Sequence, residues 1–375
     1  MKTVHGTIKN LYHTVIVNAV ESYNDLNKNS WLITNSSMSA NFNDFGGFIV
    51  PYGIELNTKK PVLSINWNER PNNSDVLMIS ENGLCKVLYD SKVDSNSLLI
   101  TESCNLGCIM CPQVSGHIQK DSELYNIALE TINKIPVDCK WLCLTGGEPT
   151  LNWKNLISII DICLNRLPKV KIQLLTNGAC FNDSKYAEAL ASLASGRIIC
   201  GIPLYSDNAI DHDNIVNKEG SFYKTVNGIF NLASYNIPIE LRTVLIRQNS
   251  DRLIKWSRFI YSTMPFVYRV VLMGIELTGK AKDNEKDLWV EIRPVIDQIS
   301  EVALFFNQAD LDFRMYNFPL CSIPISLHKY AYRAISEWKR LYDKKCMSCT
   351  LNNNCGGFFF SSKEKFNNIV SPFNN

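Results

Sequence analysis

The alternation of apolar and polar positions divides the chain into three parts. Up to about residue 95, short β-favouring runs such as HTVIVNAV and GGFIVPYGIEL are separated by polar turns and by an Asn/Ser-rich connection from Asn24 to Asn43. Short runs bounded by turn residues are typical of paired strands. Residues 1–95 are therefore predicted to form a small β-rich N-terminal domain without a long amphipathic helix.

Beyond Ser97 short apolar runs alternate with helix-length amphipathic segments such as SELYNIALETINKI. The apolar runs are SLLIT, KWLCLTG, VKIQLLTNG, RIICGIPLY, IPIELRTVLI and YRVVLMGIEL. Strands that alternate with helices predict an α/β fold in which helical crossovers join parallel strands. We expect a partial (β/α)6 TIM-like barrel over residues 96–310.

From about Leu311 the strand–helix rhythm is lost, and the sequence becomes rich in Cys, Pro, Tyr and Phe. The last part, residues 311–375, is therefore predicted to be a Cys-rich C-terminal extension.

The charge balance gives no sign of a nucleic-acid or membrane partner. The 375 residues include 38 basic and 36 acidic side chains, and a net charge of +2 creates little long-range field. No apolar run approaches the length of a membrane span, and the start MKTVHGTIKN lacks the apolar segment of an export signal. We expect a cytoplasmic protein whose thirteen cysteines stay reduced and bind metal where they cluster.

Three of those cysteines lie on one short loop, LLITESCNLGCIMCPQ, directly after the first predicted barrel strand. The spacing Cys104-x3-Cys108-x2-Cys111 places three soft ligands at the rim where barrel active sites are built. Iron–sulfur clusters of the ferredoxin type are closed by four cysteines, so a fourth position stays open here. A zinc site that adds His117 as fourth ligand is the alternative.

A second motif, LTGGEPTL, ends the next predicted strand with Gly146, Gly147, Glu148 and Pro149. Glycines at this rim allow a ligand to approach the backbone, although the same four residues could form a plain turn. Together the two motifs resemble the radical S-adenosylmethionine (SAM) enzymes over roughly Ser97 to Glu301.

The resemblance implies a 4Fe-4S cluster on Cys104, Cys108 and Cys111 whose fourth iron binds SAM. It also implies reductive cleavage of SAM to a 5'-deoxyadenosyl radical, with the protein supplying position and electrostatics. By family position, the turn from Gly146 to Pro149 binds the methionine amino group of SAM. Met110 replaces the residue, often aromatic in the family, that lies near the adenine.

Strand alternation places Glu240 and Arg242 together on the barrel-facing side of IPIELRTVLI. In similar enzymes an arginine on this strand pairs with the SAM carboxylate, so Arg242 is a candidate for that role. The alternative is an internal salt bridge between Arg242 and Glu240. Asn177 and Ser206 resemble positions that bind the ribose or the methionine of SAM, or else they are turn and cap residues.

Two residues are candidates on the substrate side, and both are catalytic hypotheses. Glu276 shares one face of the last predicted strand with Gly274. His212 precedes an acid and a Gly-Ser-Phe helix start, as in similar enzymes, and it could position a loop near the substrate. Its alternative is an exposed, solvated histidine in a loop between two acids.

The C-terminal extension carries a second group of cysteines in KKCMSCTLNNNCGGFFF, with the spacing Cys346-x2-Cys349-x5-Cys355. Cys321 can complete four ligands, which make a closed site for zinc or for an iron–sulfur cluster. The spacing resembles the SPASM/twitch-like auxiliary-cluster regions of peptide-modifying radical SAM enzymes, which favours a second 4Fe-4S cluster over zinc.

Taken from end to end, the chain is most similar to the radical SAM peptide maturases of the His-Xaa-Ser system. This resemblance implies a precursor peptide as substrate, with a crosslink or another oxidative change as product. It also implies an electron donor such as a flavodoxin or ferredoxin, and a companion maturase. A radical SAM enzyme for a small metabolite and a non-enzymatic iron–sulfur or zinc protein are the alternatives.

Overall fold

The computed structural model describes residues 2–22, 30–35, 44–113, 120–366 and 369–373. The chain forms two compact units. The first comprises Met1–Thr101, Gln119–Gly146 and Asn152–Gln173, and the second comprises Glu102–Ile118, Gly147–Leu151 and Leu174–Asn375. In the described parts of the chain, no helix has the length and apolar character needed to cross a membrane.

The N-terminal strands close into a barrel with the order β1-β5-β4-β3-β2-β6-β7. The strands are β1 (Thr3–Lys9), β2 (Val15–Val20), β3 (Trp31–Ile33), β4 (Gly47–Pro51), β5 (Val62–Ile65), β6 (Val76–Ile79) and β7 (Leu84–Tyr89). Among the described residues no α-helix precedes Asp121, so the predicted β-rich N-terminal region is confirmed. The barrel core is apolar, and Trp31 fills the space beside Gly47, where a Cβ would lie 2.5 Å from the indole ring.

A second sheet of eight strands has the order β15-β14-β13-β12-β11-β10-β9-β8. Its strands are β8 (Ser95–Thr101), β9 (Trp141–Gly146), β10 (Lys171–Leu175), β11 (Ile198–Pro203), β12 (Ile239–Val244), β13 (Arg269–Met273), β14 (Phe313–Tyr316) and β15 (Ala331–Tyr332). The pairs β8–β9 and β11 through β15 are parallel, which confirms the predicted α/β class with a parallel sheet. Strands β14 and β15 extend the sheet beyond the six predicted strands.

Helices connect these strands, as the amphipathic segments predict. They are α1 (Asp121–Lys134), α2 (Trp153–Arg166), α3 (Ser184–Ala194), α4 (Ala209–Val216), α5 (Ser221–Ser234), α6 (Leu253–Thr263), α7 (Lys280–Asp283), α8 (Glu285–Leu288) and α9 (Ile292–Gln308). After β15 the chain has short elements: a two-stranded antiparallel sheet of β16 (Arg340–Leu341) and β17 (Phe358–Phe359), and α10 (Lys363–Phe366).

Candidate active site

The cysteine loop follows β8, and its backbone is fixed by the end of α4. Gly107 and Ile109 donate their N–H groups to the carbonyl oxygens of Val216 and Ile215, both at 3.0 Å. These carbonyls belong to the last turn of α4, where no intrahelical partner remains for them. The loop is therefore shaped by backbone hydrogen bonds as well as by its own turn.

The three thiols of the loop lie close enough to influence one another. Cys104 is exposed, while Cys108 and Cys111 are half-buried. Burial, together with the nearby Cys111 and Cys104, raises the pKa of Cys108 to about 12. Three thiolates that repel each other in this way are a donor set suited to a cationic iron–sulfur group. His117, the fourth ligand of the zinc alternative, lies outside the described residues.

Both glycines of the Gly146–Pro149 turn lie against the chain that follows β8. A Cβ on Gly146 would sit 2.1 Å from the carbonyl oxygen of Thr101, and one on Gly147 would sit 2.1 Å from that of Ser103. The backbone of the chain itself therefore requires glycine at both positions. Pro149 is buried and begins a short 3-10 turn.

Glu148 is 1% exposed, and its carboxylate is surrounded by donors from its own unit. One oxygen accepts the Thr150 N–H and the hydroxyls of Thr150 and Thr176 at 2.6 to 2.9 Å, and the other accepts the Asn177 N–H at 2.6 Å. Burial raises the pKa of Glu148, whereas these hydrogen bonds oppose the rise. The carboxylate thus fastens the turn to the segment that follows β10.

Asn177 lies beside the cysteine loop. Its side-chain N–H donates to Asn105 Oδ1 at 2.8 Å, and its own Oδ1 accepts the Ala179 N–H at 3.0 Å. Ser206 is fully buried, and its hydroxyl accepts weak hydrogen bonds from the backbone and side chain of Asn208. Asn208 is the N-cap of α4. The roles of Asn177 and Ser206 toward SAM stay predictions.

Arg242 and Glu240 form a salt bridge on β12, with 2.7 Å between Arg242 Nε and Glu240 Oε1. Glu240 is 1% exposed, and its second oxygen lies 3.2 Å from Arg269 Nη1. The internal ion pair therefore forms. Because Glu240 also has Arg269 as a partner, the role of Arg242 toward the SAM carboxylate stays a prediction.

His212 differs from the exposed loop histidine of the alternative reading, because it is 1% exposed and lies in α4. Its Nδ1 accepts the Tyr205 N–H at 3.3 Å, and burial lowers its pKa to about 4. The acid that follows, Asp213, accepts the N–H groups of Gly220 and Phe222 at 2.6 and 2.7 Å. The His-Asp pair thus packs α4 and holds the start of α5.

The predicted place of Glu276 on the last strand is wrong, because β13 ends at Met273 and Glu276 follows the strand. The extended pattern of YRVVLMGIEL continued beyond the last backbone pairing. The Glu276 carboxylate accepts a charge-assisted hydrogen bond from Lys339 Nζ at 2.9 Å.

Met110 is 4% exposed and packs in an apolar cluster with Ile215 and Leu277.

The sequence did not reveal a segment that covers the cysteine loop from the far side. Thr278 Oγ1 donates to the Pro112 carbonyl at 2.9 Å, and Asn284 Nδ2 donates to that of Ile109 at 2.9 Å. Lys280 Nζ reaches the Gly107 carbonyl at 3.4 Å. The contacts join positions about 170 residues apart, so no local pattern could indicate them.

The four C-terminal cysteines line one pocket. They are Cys321, Cys346, Cys349 and Cys355. The Leu320 and Gly357 N–H groups both point at the Cys355 sulfur at 3.4 Å. Across the described ranges, no three His, Cys, Asp or Glu side chains meet in a geometry for a single metal ion. No disulfide joins the thirteen cysteines, all of which lie in the part of the chain that the structure describes.

Comparison with known proteins gives relatives of different function. The chain is 25% identical over 240 residues to the GTP 3',8-cyclase of Alkaliphilus oremlandii. This alignment covers 62% of this chain and 72% of that protein. It is 24% identical over 208 residues to the sporulation killing factor maturation protein SkfB of Bacillus subtilis, covering 54% and 47%. The chain spans about half to three quarters of the length of the curated relatives it matches.

Among solved structures, SuiB of Streptococcus suis bound to S-adenosylmethionine has a similar fold. The TM-score is 0.52 at 14% identity, over 72% of this chain and 74% of SuiB. Residues 98–260, which include the cysteine loop and the Gly146–Pro149 turn, match the Radical SAM superfamily. The chain therefore contains a radical SAM domain.

Proposed function

We propose that this protein is a radical SAM enzyme that modifies a ribosomally synthesised precursor peptide, by a crosslink or another oxidative change of a side chain. The observation that carries the proposal is the second cysteine site, where Cys321, Cys346, Cys349 and Cys355 line one pocket. Four protein thiolates close the coordination of a cluster, so such a site can hold structure or pass electrons but leaves no iron for a substrate.

Two relatives support a peptide substrate. SkfB is a maturation protein by name, and SuiB, which shares the fold, has been solved with a precursor peptide, SuiA. A net charge of +2 fits a partner that is recognised by shape and by local contacts. We assign the chain to the His-Xaa-Ser type of maturase with a SPASM-like C-terminal region. We also propose that it works in the cytoplasm, because a reducing compartment keeps its clustered cysteines available for metal binding.

At the first site, Cys104, Cys108 and Cys111 would hold a 4Fe-4S cluster with one iron left for SAM. When bound, this pair supplies an electron and a carbon radical that can abstract hydrogen from the substrate. Arg242 would bind the SAM carboxylate, and the turn from Gly146 to Pro149 would bind the amino group. Asn177 and Ser206 would orient the methionine or the ribose, and Met110 would pack near the adenine. Glu276 would lie on the substrate side of the site, and His212 would position the chain near the substrate.

The division of labour follows the three parts of the sequence. We propose a partial (β/α)6 barrel over residues 96–310 that carries the SAM site and an auxiliary-cluster region over residues 311–375. Residues 1–95 would contact the peptide. An external donor of the flavodoxin or ferredoxin type supplies the electron that starts each turnover, and a companion maturase is a further expected partner.

A small metabolite is the second candidate substrate, because the GTP 3',8-cyclase match extends over 72% of that relative. Both enzymes release 5'-deoxyadenosine, so a change in the mass of the peptide is the measurement that separates them. A non-enzymatic iron–sulfur or zinc protein would release no 5'-deoxyadenosine from SAM under reducing conditions.

The test replaces one ligand of the second site. Cys349→Ala should still release 5'-deoxyadenosine from SAM, since the first site is unchanged. It should not convert the peptide, because an oxidative product leaves a substrate electron that needs an acceptor. Cys139→Ala is the matched control, because Cys139 is buried outside both cysteine sites. Peptide conversion by Cys349→Ala at the native rate would remove the main support for an oxidative maturase.

A further inference from the structure

The cysteine loop is covered by a strap, defined here as Thr278–Asn284, whose donors are aimed at the carbonyl oxygens of the loop. Thr278 Oγ1 binds the Pro112 carbonyl at 2.9 Å, and Asn284 Nδ2 binds that of Ile109 at 2.9 Å. The Ala281 N–H donates to the Cys111 carbonyl at 3.3 Å. Neutral donors therefore hold three carbonyls of the loop.

A fourth carbonyl, that of Gly107, receives the charged end of Lys280, with 3.4 Å between Nζ and the oxygen. The strap is in close contact with the loop here, because a Cβ on Gly279 would lie 2.9 Å from the Cys111 carbonyl oxygen. Lys280 is thus the one cation among the four donors that the strap aims at the loop.

The Gly107 carbonyl belongs to the same peptide group as the N–H of Cys108. A peptide group is planar and trans, so its carbonyl and its N–H point in opposite directions. Lys280 therefore contacts the peptide group that carries the Cys108 N–H, next to the Cys108 side chain. A cation on the carbonyl oxygen polarises the peptide and strengthens the N–H as a donor.

We propose that Lys280 is a positioning residue that favours the reduced state of the cluster on Cys104, Cys108 and Cys111, through the Gly107–Cys108 peptide. The inference rests on the proposed cluster. Reduction adds one electron, and therefore one negative charge, to a group already held by three thiolates. A nearby cation and a more strongly polarised Cys108 N–H both stabilise that added charge.

The expected effect is moderate because Lys280 is exposed and solvent screens its charge. Lys280→Gln should lower the equilibrium constant for one-electron reduction about threefold, equal to about 28 mV in midpoint potential. Lys280→Arg keeps the charge and should restore most of the native value.

Lys282→Gln is the matched control, because Lys282 lies in the same short helix, is exposed and pairs with Glu285. Removal of its charge should leave the midpoint potential near the native value. The experiment is an anaerobic redox titration with dithionite, followed by electron paramagnetic resonance. The first cluster is observed alone in a background in which Cys346, Cys349 and Cys355 are all replaced by Ala, so that fewer than three thiols remain at the second site.

A native midpoint potential in Lys280→Gln, or an equal shift in Lys282→Gln, would overturn the proposal. If Lys280→Gln retains no iron, the retention of iron becomes the readout. Rescue by Lys280→Arg then supports a role for the charge, and failure of both variants refutes it. Absence of a reducible cluster from the parent protein would instead refute the proposed function, so the two failures are distinguishable.

Discussion

His212 is a buried neutral imidazole, and its burial makes the stability of the protein depend on pH. Its pKa is lowered from 6.5 to about 4, chiefly by burial, although Asp213 opposes the shift. The ring lies between Tyr205 and Phe222, at centroid distances of 5.8 and 5.7 Å. Asp213 aims its carboxylate at the start of α5, so it does not compensate an imidazolium fully.

The sign follows from proton binding. Between pH 6.5 and pH 4 the unfolded state holds a proton on His212 and the folded state does not, so the free energy of unfolding falls as the pH falls. With these two pKa values, the loss between pH 7.5 and pH 5 is about 2 kcal/mol. The part of the free energy of unfolding that depends on a neutral His212 is fully present above pH 6.5. It is lost as the pH falls toward 4.

His212→Asn tests this value, because the Asn side-chain oxygen can accept the Tyr205 N–H while the side chain does not titrate. Urea unfolding at pH 7.5 and pH 5 should show a loss that is smaller in the variant than in the native protein by about 2 kcal/mol. His5→Asn is the control, since His5 is exposed on β1 and its replacement should leave the loss unchanged. An equal loss in native protein and His212→Asn would refute the reasoning.

Two further predictions concern the sites. Arg242→Ala should weaken SAM binding roughly tenfold or more, through loss of a charge-assisted pair of about 1.5 to 3 kcal/mol. Calorimetry checks this against Arg258→Ala, which removes an exposed partner of Glu301, and native affinity in Arg242→Ala would leave Arg242 as a partner of Glu240 alone. Anaerobically reconstituted protein should bind about eight irons, and joint replacement of Cys104, Cys108 and Cys111 should leave about four. Zinc at the C-terminal cysteines would contradict the auxiliary cluster.

The sequence was informative wherever a structural feature is repeated or local. The apolar runs identified six strands of the parallel sheet, because buried parallel strands must be apolar on both faces. The cysteine loop was recognisable because its three ligands lie within eight residues. These patterns depend on neighbours in the chain, which a sequence displays directly.

Features that depend on tertiary contacts could not be obtained in this way. The sequence predicts Glu148 as an acid at the rim, and the structure shows that it binds donors up to 29 residues away. His212 looked exposed because acids flank it, whereas Asp213 is occupied by the N–H groups of Gly220 and Phe222. In both cases the sequence shows the carboxylate but not the backbone N–H groups that donate hydrogen bonds to it.

The cysteine loop is supported on several sides, and this arrangement bears on how it binds its cofactor. The end of α4 accepts two of its N–H groups, Asn177 binds Asn105, and the strap binds its carbonyls. A flexible loop would lose about 1 to 2 kcal/mol of conformational entropy per residue when a cluster forms. Here the loop is ordered when the second unit folds, so the thiols are preorganised. Cofactor binding then loses less conformational entropy and is tighter.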